Sequence, residues 1–269
     1  MVTEENRVVN GLWIGTELSV IEELTLHSFV HYGHQFHLWT YNELTTKIPE
    51  GVTIMDANEI IPEKDVFRYK NSNQFGHGKG SVAGFSDIFR YKLLFEKGGW
   101  WVDMDVTCLK PFITEKPYYF RAHHELKVVG NVMKCPKHSP LMNQCYEIAK
   151  ASVTDQNQDW HLPIQILNEQ ITLLKLDEYT VSNESPPDQW HVVCRWFFTT
   201  KPLPESFVFV HWLNEVWRNK NVASFGVLTT SAYGRLLIKY KLIVDSSSRL
   251  DKLLARLRFM LLFLLKSRF

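Results

Sequence analysis

The twenty residues from Ser86 to Asp105 constrain this chain more than any other segment. Apolar residues at Ile88, Tyr91, Leu94 and Phe95 have helical spacing, Ser86 or Asp87 suits the N-cap, and Gly98-Gly99 supplies a left-handed stop. Trp101 to Val106 then reads as a strand, whose period of two sets Trp101, Asp103 and Asp105 on one face and Val102, Met104 and Val106 on the other. A helix, a glycine stop and a strand in this order belong to α/β architecture. Two carboxylates on one face at the end of a strand suit a hard divalent cation such as Mg or Mn, which takes phosphate oxygens as further ligands. On the helix, Asp87 and Arg90 share one face with Leu94.

The flanking sequence extends the same alternation. Val8 to Ile14, Phe36 to Thr40 and Val52 to Met55 read as strands, with a helix from Val20 to His31 between the first two. Downstream, Tyr118 to Ala122 and Val128 to Lys134 read as strands. Ser139-Pro140 opens a helix running to about Ala151, and Pro163 to Leu174 is a further helix. Ser182 to Gln189 is a polar, proline-containing loop before a last strand, Phe207 to Trp212. The pattern predicts a mixed central sheet covered by helices on both faces. With 269 residues, 45% of them hydrophobic, the chain can bury one substantial core.

Composition narrows the function classes. A formal charge of +1, with no basic stripe interleaved with aromatics in the first two thirds, gives no footprint for nucleic acid. Cys108, Cys135, Cys145 and Cys194 have no paired spacing, so neither a zinc site nor a disulfide framework is expected and a reducing cytoplasm fits best. The acidic opening, Met1 to Glu5, does not read as a signal peptide.

The motif Ser-Asp-x-x-Arg-Tyr-x-x-Leu, followed by Gly-Gly-x-x-x-Asp-x-Asp and by Lys110-Pro111, resembles the glycosyltransferases with the DXD sugar-binding region. That group includes the yeast initiating mannosyltransferase, bacterial capsule and O-antigen transferases, and the glucosyltransferase domain of the large clostridial toxins. Trp13-Ile14-Gly15 is similar to the end of the family's first strand and His37-Leu38-Trp39 to that of its second. Gly130-Asn131-Val132-Met133, His138-Ser139-Pro140 and Val210-His211-Trp212 are similar to later family segments. The likeness spans about residues 8 to 218 and is strongest from 81 to 111. The chain departs from it at Leu162-Pro163, where relatives carry Gly-Pro.

The resemblance implies a GT-A-type nucleotide-diphospho-sugar transferase that retains anomeric configuration, with residues 1–225 as the catalytic domain. It would move a hexose or N-acetylhexosamine from a nucleotide sugar, UDP-linked by preference, to a glycan acceptor in capsule or O-antigen polysaccharide synthesis. Asp87, Arg90 and Asp103 would be the catalytic residues. In the donor site Trp13 would stack on the base, Ser86, Asp87 and Arg90 would hold the sugar with Asn131, and Asp103 would bridge sugar or ribose to the metal. Asp105 would be the direct ligand of Mn2+ or Mg2+, and His211 a third ligand that suits Mn better. Residue by residue, plainer readings stand beside these. Arg90 can simply pair with Asp87, Trp13 can be core, and His211 can be a satisfied core histidine. Two alternatives differ in class: a haloacid-dehalogenase-type phosphatase, whose first motif Asp103 to Thr107 also fits but whose later Gly-Asp is missing after Asp105, and a catalytically inactive sugar-nucleotide-binding module.

Residues 226–269 read as a helical appendage. From Lys252 to Phe269 the sequence is apolar and basic, with Asp251 just before it, and its uninterrupted apolar stretch, Phe259 to Leu265, is far shorter than the roughly 20 residues that span a bilayer. A helix lying at the inner membrane face is expected, with Arg256, Arg258, Lys266 and Arg268 near anionic headgroups, which would suit a lipid-linked acceptor. The plainer reading is a terminal helix docked on the core or on a second subunit.

Overall fold

The computed structural model describes residues 2–76, 78–245 and 248–266. Arg268 lies outside the described residues, as does the side chain of Lys266. In chain order the elements are α1 (Glu4–Arg7), β1 (Val8–Trp13), α2 (Val20–His31), β2 (Gln35–Thr40), β3 (Val52–Asp56), α3 (Ala83–Lys97), β4 (Gly99–Val102) and β5 (Val106–Cys108). They continue with β6 (Tyr119–His123), β7 (Lys127–Cys135), α4 (Pro140–Ser152), α5 (Leu162–Leu173), β8 (Thr180–Val181), α6 (Trp190–Val193) and α7 (Arg195–Phe198). The last are β9 (Phe209–His211), α8 (Asn214–Asn219), α9 (Ala232–Lys239) and α10 (Arg249–Lys266).

Seven strands form one sheet in the order β3-β2-β1-β4-β7-β6-β8, and β5 pairs with β9 in a separate two-stranded sheet. In the large sheet β7 alone runs against its neighbours, so the expected mixed α/β architecture is observed. After β1 the chain order first runs outward through β2 to β3 and then returns to the other side of β1 as β4. The crevice beyond the carboxyl ends of β1 and β4 is therefore the topological switch point, where ligands of open α/β sheets bind. β1 ends at Trp13 and β4 at Val102, immediately before Asp103.

The helices cover the sheet because their apolar stripes match its two faces. Phe85, Phe89, Leu93 and Leu94 of α3 pack with α4 and α5 around Trp101, Phe120 and Met133. On the opposite face Leu26 and Phe29 of α2 pack against Val9, Phe36 and Trp100. A third cluster joins Ile21 and Leu24 of α2 to Trp190, Phe197, Trp212, Tyr233 and Phe259. α2 starts where the sequence says it should, with Ser19 N–H donating to Glu22 Oε2 at 2.8 Å in a capping box. α3 stops at Gly98 for two reasons: its φ is +70°, and a Cβ there would lie 2.5 Å from the Lys137 backbone nitrogen.

Two local expectations are corrected. α3 begins at Ala83 with Val82 at its N-cap, so Ser86 and Asp87 lie inside the helix and neither caps it. Their side chains are thereby free to line the crevice. The strand expected from Trp101 to Val106 is broken into β4 and β5 by a turn, in which Val106 N–H donates to Asp103 O at 3.1 Å. Tertiary partners hold the turn: Thr25 Oγ1 donates to Met104 O at 2.7 Å and Asp103 N–H donates to Asn131 O at 2.9 Å. The two carboxylates therefore converge through a turn, where sequence periodicity had placed them on a flat strand face.

Candidate active site

Register explains which side chains meet at this turn. β4 pairs antiparallel with β7 so that Val102 faces Val132, which brings Asn131 beside Asp103. β5 pairs with β9 so that Val106 faces His211, and Trp212 N–H donates to Asp105 O at 2.9 Å, which brings His211 beside Asp105. One ligand atom from each of Asp103, Asp105 and His211 falls within 4.8 Å of the others. Two carboxylates and an imidazole are a donor set that can hold a divalent cation.

Arg90 ties the helix to the turn. Its Nη1 meets Asp87 Oδ1 at 2.5 Å and its Nη2 meets Asp103 Oδ1 at 2.7 Å, while the guanidinium lies 5.1 Å from the Trp101 ring centroid. Trp101 Nε1–H also donates to Asp103 Oδ1, at 2.8 Å. Burial raises the Asp87 carboxyl to about 6; Arg90 opposes that shift and Asp103 adds to it. Burial works against the Arg90 charge, yet the two carboxylates outweigh it and hold the guanidinium firmly protonated.

A second charge network lies across the turn and includes residues that sequence reasoning did not single out. Asp188 makes a two-pronged ion pair with Arg121, both contacts at 2.7 Å, and Arg121 Nη2 and Nε also bind Pro186 O and Ser185 Oγ. Those contacts pin the loop read from sequence only as polar and proline-containing. Asp188 Oδ1 is 3.1 Å from His211 Nδ1, and His211 Nε2 is 3.3 Å from Asp105 Oδ1. Asp105 Oδ2 in turn accepts from Asn214 N–H at 2.8 Å. Burial disfavours the His211 cation, but Asp105 and Asp188 outweigh it and raise the ring to about 10. Burial likewise raises both carboxyls, and the facing cations win, so Asp188 and Asp105 are held below the usual carboxylate range.

This chemistry fits a metal ion. An imidazole whose Nδ1 faces a carboxylate presents Nε2 in a fixed orientation, the arrangement that metal-binding histidines use. Asn131 Nδ2 lies 2.9 Å from His211 Nδ1 and 3.2 Å from Asp188 Oδ2, and among the described residues the buried Asn131 Oδ1 has no hydrogen-bond partner.

The turn divides the crevice into two lobes. The first, of about 630 Å³, is lined by Asp87, Arg90, Asn131, His211 and Asp188, with Trp160 at its side. The second, of about 490 Å³, holds Trp13 at the end of β1 together with Arg68, Lys79 and Arg218. Ser86, Asp103 and Asp105 border both. The structure thus gathers Ser86, Asp87, Arg90, Asp103, Asp105, Asn131 and His211 in one crevice, with Trp13 in the adjoining lobe. Lys79 sits in the glycine-rich segment that precedes α3, and Lys79, Gly80 and Ser81 of that segment wall the second lobe.

Residues 31–124 match the family described as glycosyltransferase sugar-binding region containing DXD motif. This segment of the chain is a glycosyltransferase sugar-binding region with its DXD motif at Asp103 and Asp105. The match covers β2 through β6 and so includes Asp87, Arg90, Asp103 and Asp105, whereas His211 and Asp188 lie beyond it. Comparison with curated proteins finds no match. Among solved structures the chain is similar to PaToxG glycosyltransferase, at 15% identity over 65% of this chain and 74% of that one, with a TM-score of 0.43. It is also similar to the apo-form glycosyltransferase GlyE of Streptococcus pneumoniae TIGR4, at 11% identity over 89% of this chain and 61% of that one, with a TM-score of 0.46. A glycosyltransferase assignment removes the phosphatase alternative for Asp103 and Asp105.

Proposed function

We propose that this glycosyltransferase is metal-dependent and retaining, moving a hexose or N-acetylhexosamine from a UDP-linked donor to a glycan acceptor, including a lipid-linked one, in polysaccharide synthesis. The observation that carries the reading is the convergence of Asp103, Asp105 and His211 between a lobe that holds Trp13 and three cations beside Glu22 and Glu215 and a lobe rich in hydrogen-bonding groups. In the second lobe Trp13 offers a face for the nucleobase, and Arg68, Lys79 and Arg218 offer positive charge to a diphosphate. In the first lobe Asp87, Arg90 and Asn131 would orient the sugar.

Asp105, Asp103 and His211 would hold Mn2+ or Mg2+, with Mn favoured by the imidazole. When bound, the ion supplies charge neutralisation for the departing diphosphate. His211 must release its Nε2 proton to join the ligand set, and Asp188 on Nδ1 preserves the orientation as it does so. Asp87 and Asp103 each give Oδ1 to Arg90, which lowers the nucleophilicity of both carboxylates. That pairing supports attack by the acceptor hydroxyl on the same face as the departing diphosphate, with a phosphate oxygen taking the proton.

A panel of nucleotides measured by thermal unfolding with and without Mn tests the donor. UDP with Mn is expected to raise the midpoint, since a ligand at one hundred times its Kd adds about 2.7 kcal/mol to stability. A larger rise with GDP would replace the nucleotide, and silence with every nucleotide would overturn the reading.

Gly130 gives a second test. A Cβ there would sit 2.3 Å from Arg90 Nη1, so Gly130→Ala must push the guanidinium away from Asp87 and Asp103. Misplacing a positioning group by about 1 Å can cost on the order of a hundredfold in rate. Release of nucleotide diphosphate should therefore fall by about ten- to a hundredfold, with only a few degrees' loss of melting temperature. Wild-type turnover in this variant would remove Arg90 from the site.

A further inference from the structure

α10 has two apolar faces, and the core uses one. Ala255, Phe259, Leu262 and Phe263 pack on the third core cluster, with the Phe259 ring 5.9 Å from Phe198. On the other side Leu253, Leu254, Leu257, Met260, Leu261 and Leu264 are each more than half exposed. Leu250 and Leu265 extend the exposed face at its ends. At about 100° per residue this exposed set covers an arc of roughly 140°, opposite the docked stripe. Arg258 stands at one border of that arc, and Arg249 and Arg256 stand at the other. All three arginines are exposed, and Asp251 is the one acid in the helix sequence.

From this arrangement we infer that α10 binds the surface of an anionic lipid bilayer, lying in the interface with its leucine face in the acyl region and its arginines among the headgroups. The charge pattern selects this occupant over a second copy of the chain. By helical spacing Asp251 falls beside Arg258 on one border while Arg249 and Arg256 stand alone on the other, so the face is net positive; anionic headgroups neutralise that charge, whereas a second copy brings the same net positive charge. The face is also wider than the two-position seam of a helix pair. No helix among the described residues is long and apolar enough to cross a membrane, which leaves α10 on the surface. Each apolar side chain that leaves water contributes to binding in proportion to its area.

The same helix is linked to the site through packing. Phe259 contacts Phe198, the Phe198 and Trp190 ring centroids are 6.3 Å apart, and Trp190 follows Asp188 by two residues. A bilayer beneath α10 would thus lie two aromatic layers from the first lobe, a placement suited to an acceptor sugar carried on a lipid. Membrane binding itself does not rest on the transferase reading.

The test is flotation of the full chain with vesicles of phosphatidylcholine alone or with about one third phosphatidylglycerol. The wild-type chain should float with the anionic vesicles and much less with the neutral ones, and salt should weaken the binding. Leu257→Glu with Leu261→Glu changes only the exposed face, so the melting temperature should hold while the lipid needed for half binding rises at least about tenfold. Arg256→Gln with Arg258→Gln should erase the preference for anionic vesicles. Failure of the wild-type chain to float with anionic vesicles would overturn the inference. So would a dimer that the leucine substitutions dissociate while vesicle binding stays absent, or equal binding to neutral and anionic vesicles.

Discussion

Asp105→Asn should lower metal-dependent turnover by two to three orders of magnitude while leaving the fold in place. The reason lies in how the two oxygens of Asp105 are used. Oδ2 accepts from Asn214 N–H at the start of α8, and Oδ1 faces His211 Nε2 and the position a cation would share with Asp103. The asparagine side chain keeps an oxygen for Asn214 N–H and loses the charge. On the proposed function, what disappears is electrostatic stabilisation of the leaving diphosphate, for which removal of one preorganised group typically costs about 10²- to 10³-fold. The measurement is nucleotide diphosphate release against Mn concentration, with the melting temperature as a fold control. Turnover at the wild-type rate at the same Mn concentration would remove Asp105 from the metal site.

Asp103→Asn should behave differently, and the contrast follows from packing. Asp103 Oδ1 already accepts from Arg90 Nη2 and Trp101 Nε1, so its charge also balances a buried guanidinium. Removing it leaves Arg90 with Asp87 alone.

The family resemblance gives these two carboxylates different roles, but the difference in their packing was invisible in the sequence. What the sequence did carry is local. Ser19 with Glu22 sets the start of α2, Gly98 sets the end of α3, and the motif through Asp105 names the family. What it lacked depends on contacts far apart in the chain. The turn inside the triplet needs Thr25 on Met104 O and the pairing of β5 with β9, and an alternating pattern of apolar residues reports neither. Asp188 needs Arg121, a partner 67 positions away on β6, to become more than an acid in a polar loop. Lys79 needs the folding of its glycine-rich segment over the end of β1 before its charge acquires a ligand to face.

Asp188→Asn should be the most destabilising of these substitutions, even though Asp188 sits in a loop. Its carboxylate is the counter-charge of Arg121, which is 3% exposed, and it also faces His211. Breaking a buried ion pair from one side costs about 3–5 kcal/mol, because the remaining charge stays in a poorly solvating environment. For a domain of this size that is on the order of 10 °C in melting temperature. The dependence on pH identifies the cause. His211 has its pKa raised from 6.5 to about 10, so its contribution in the metal-free protein is complete below about pH 6.5 and is lost as pH climbs toward 10. Asp188 and Asp105 are held low, so theirs is present above the ordinary carboxylate range and is lost as pH falls below it. Wild-type protein without added metal should therefore lose melting temperature steadily from pH 7 to pH 9.5. With Asp188 neutralised, His211 keeps only Asp105 as a partner, its pKa falls toward the ordinary value, and the decline over the same range should flatten. Parallel declines in the two proteins, with a midpoint difference of less than a few degrees, would show that Asp188 does not hold the histidine.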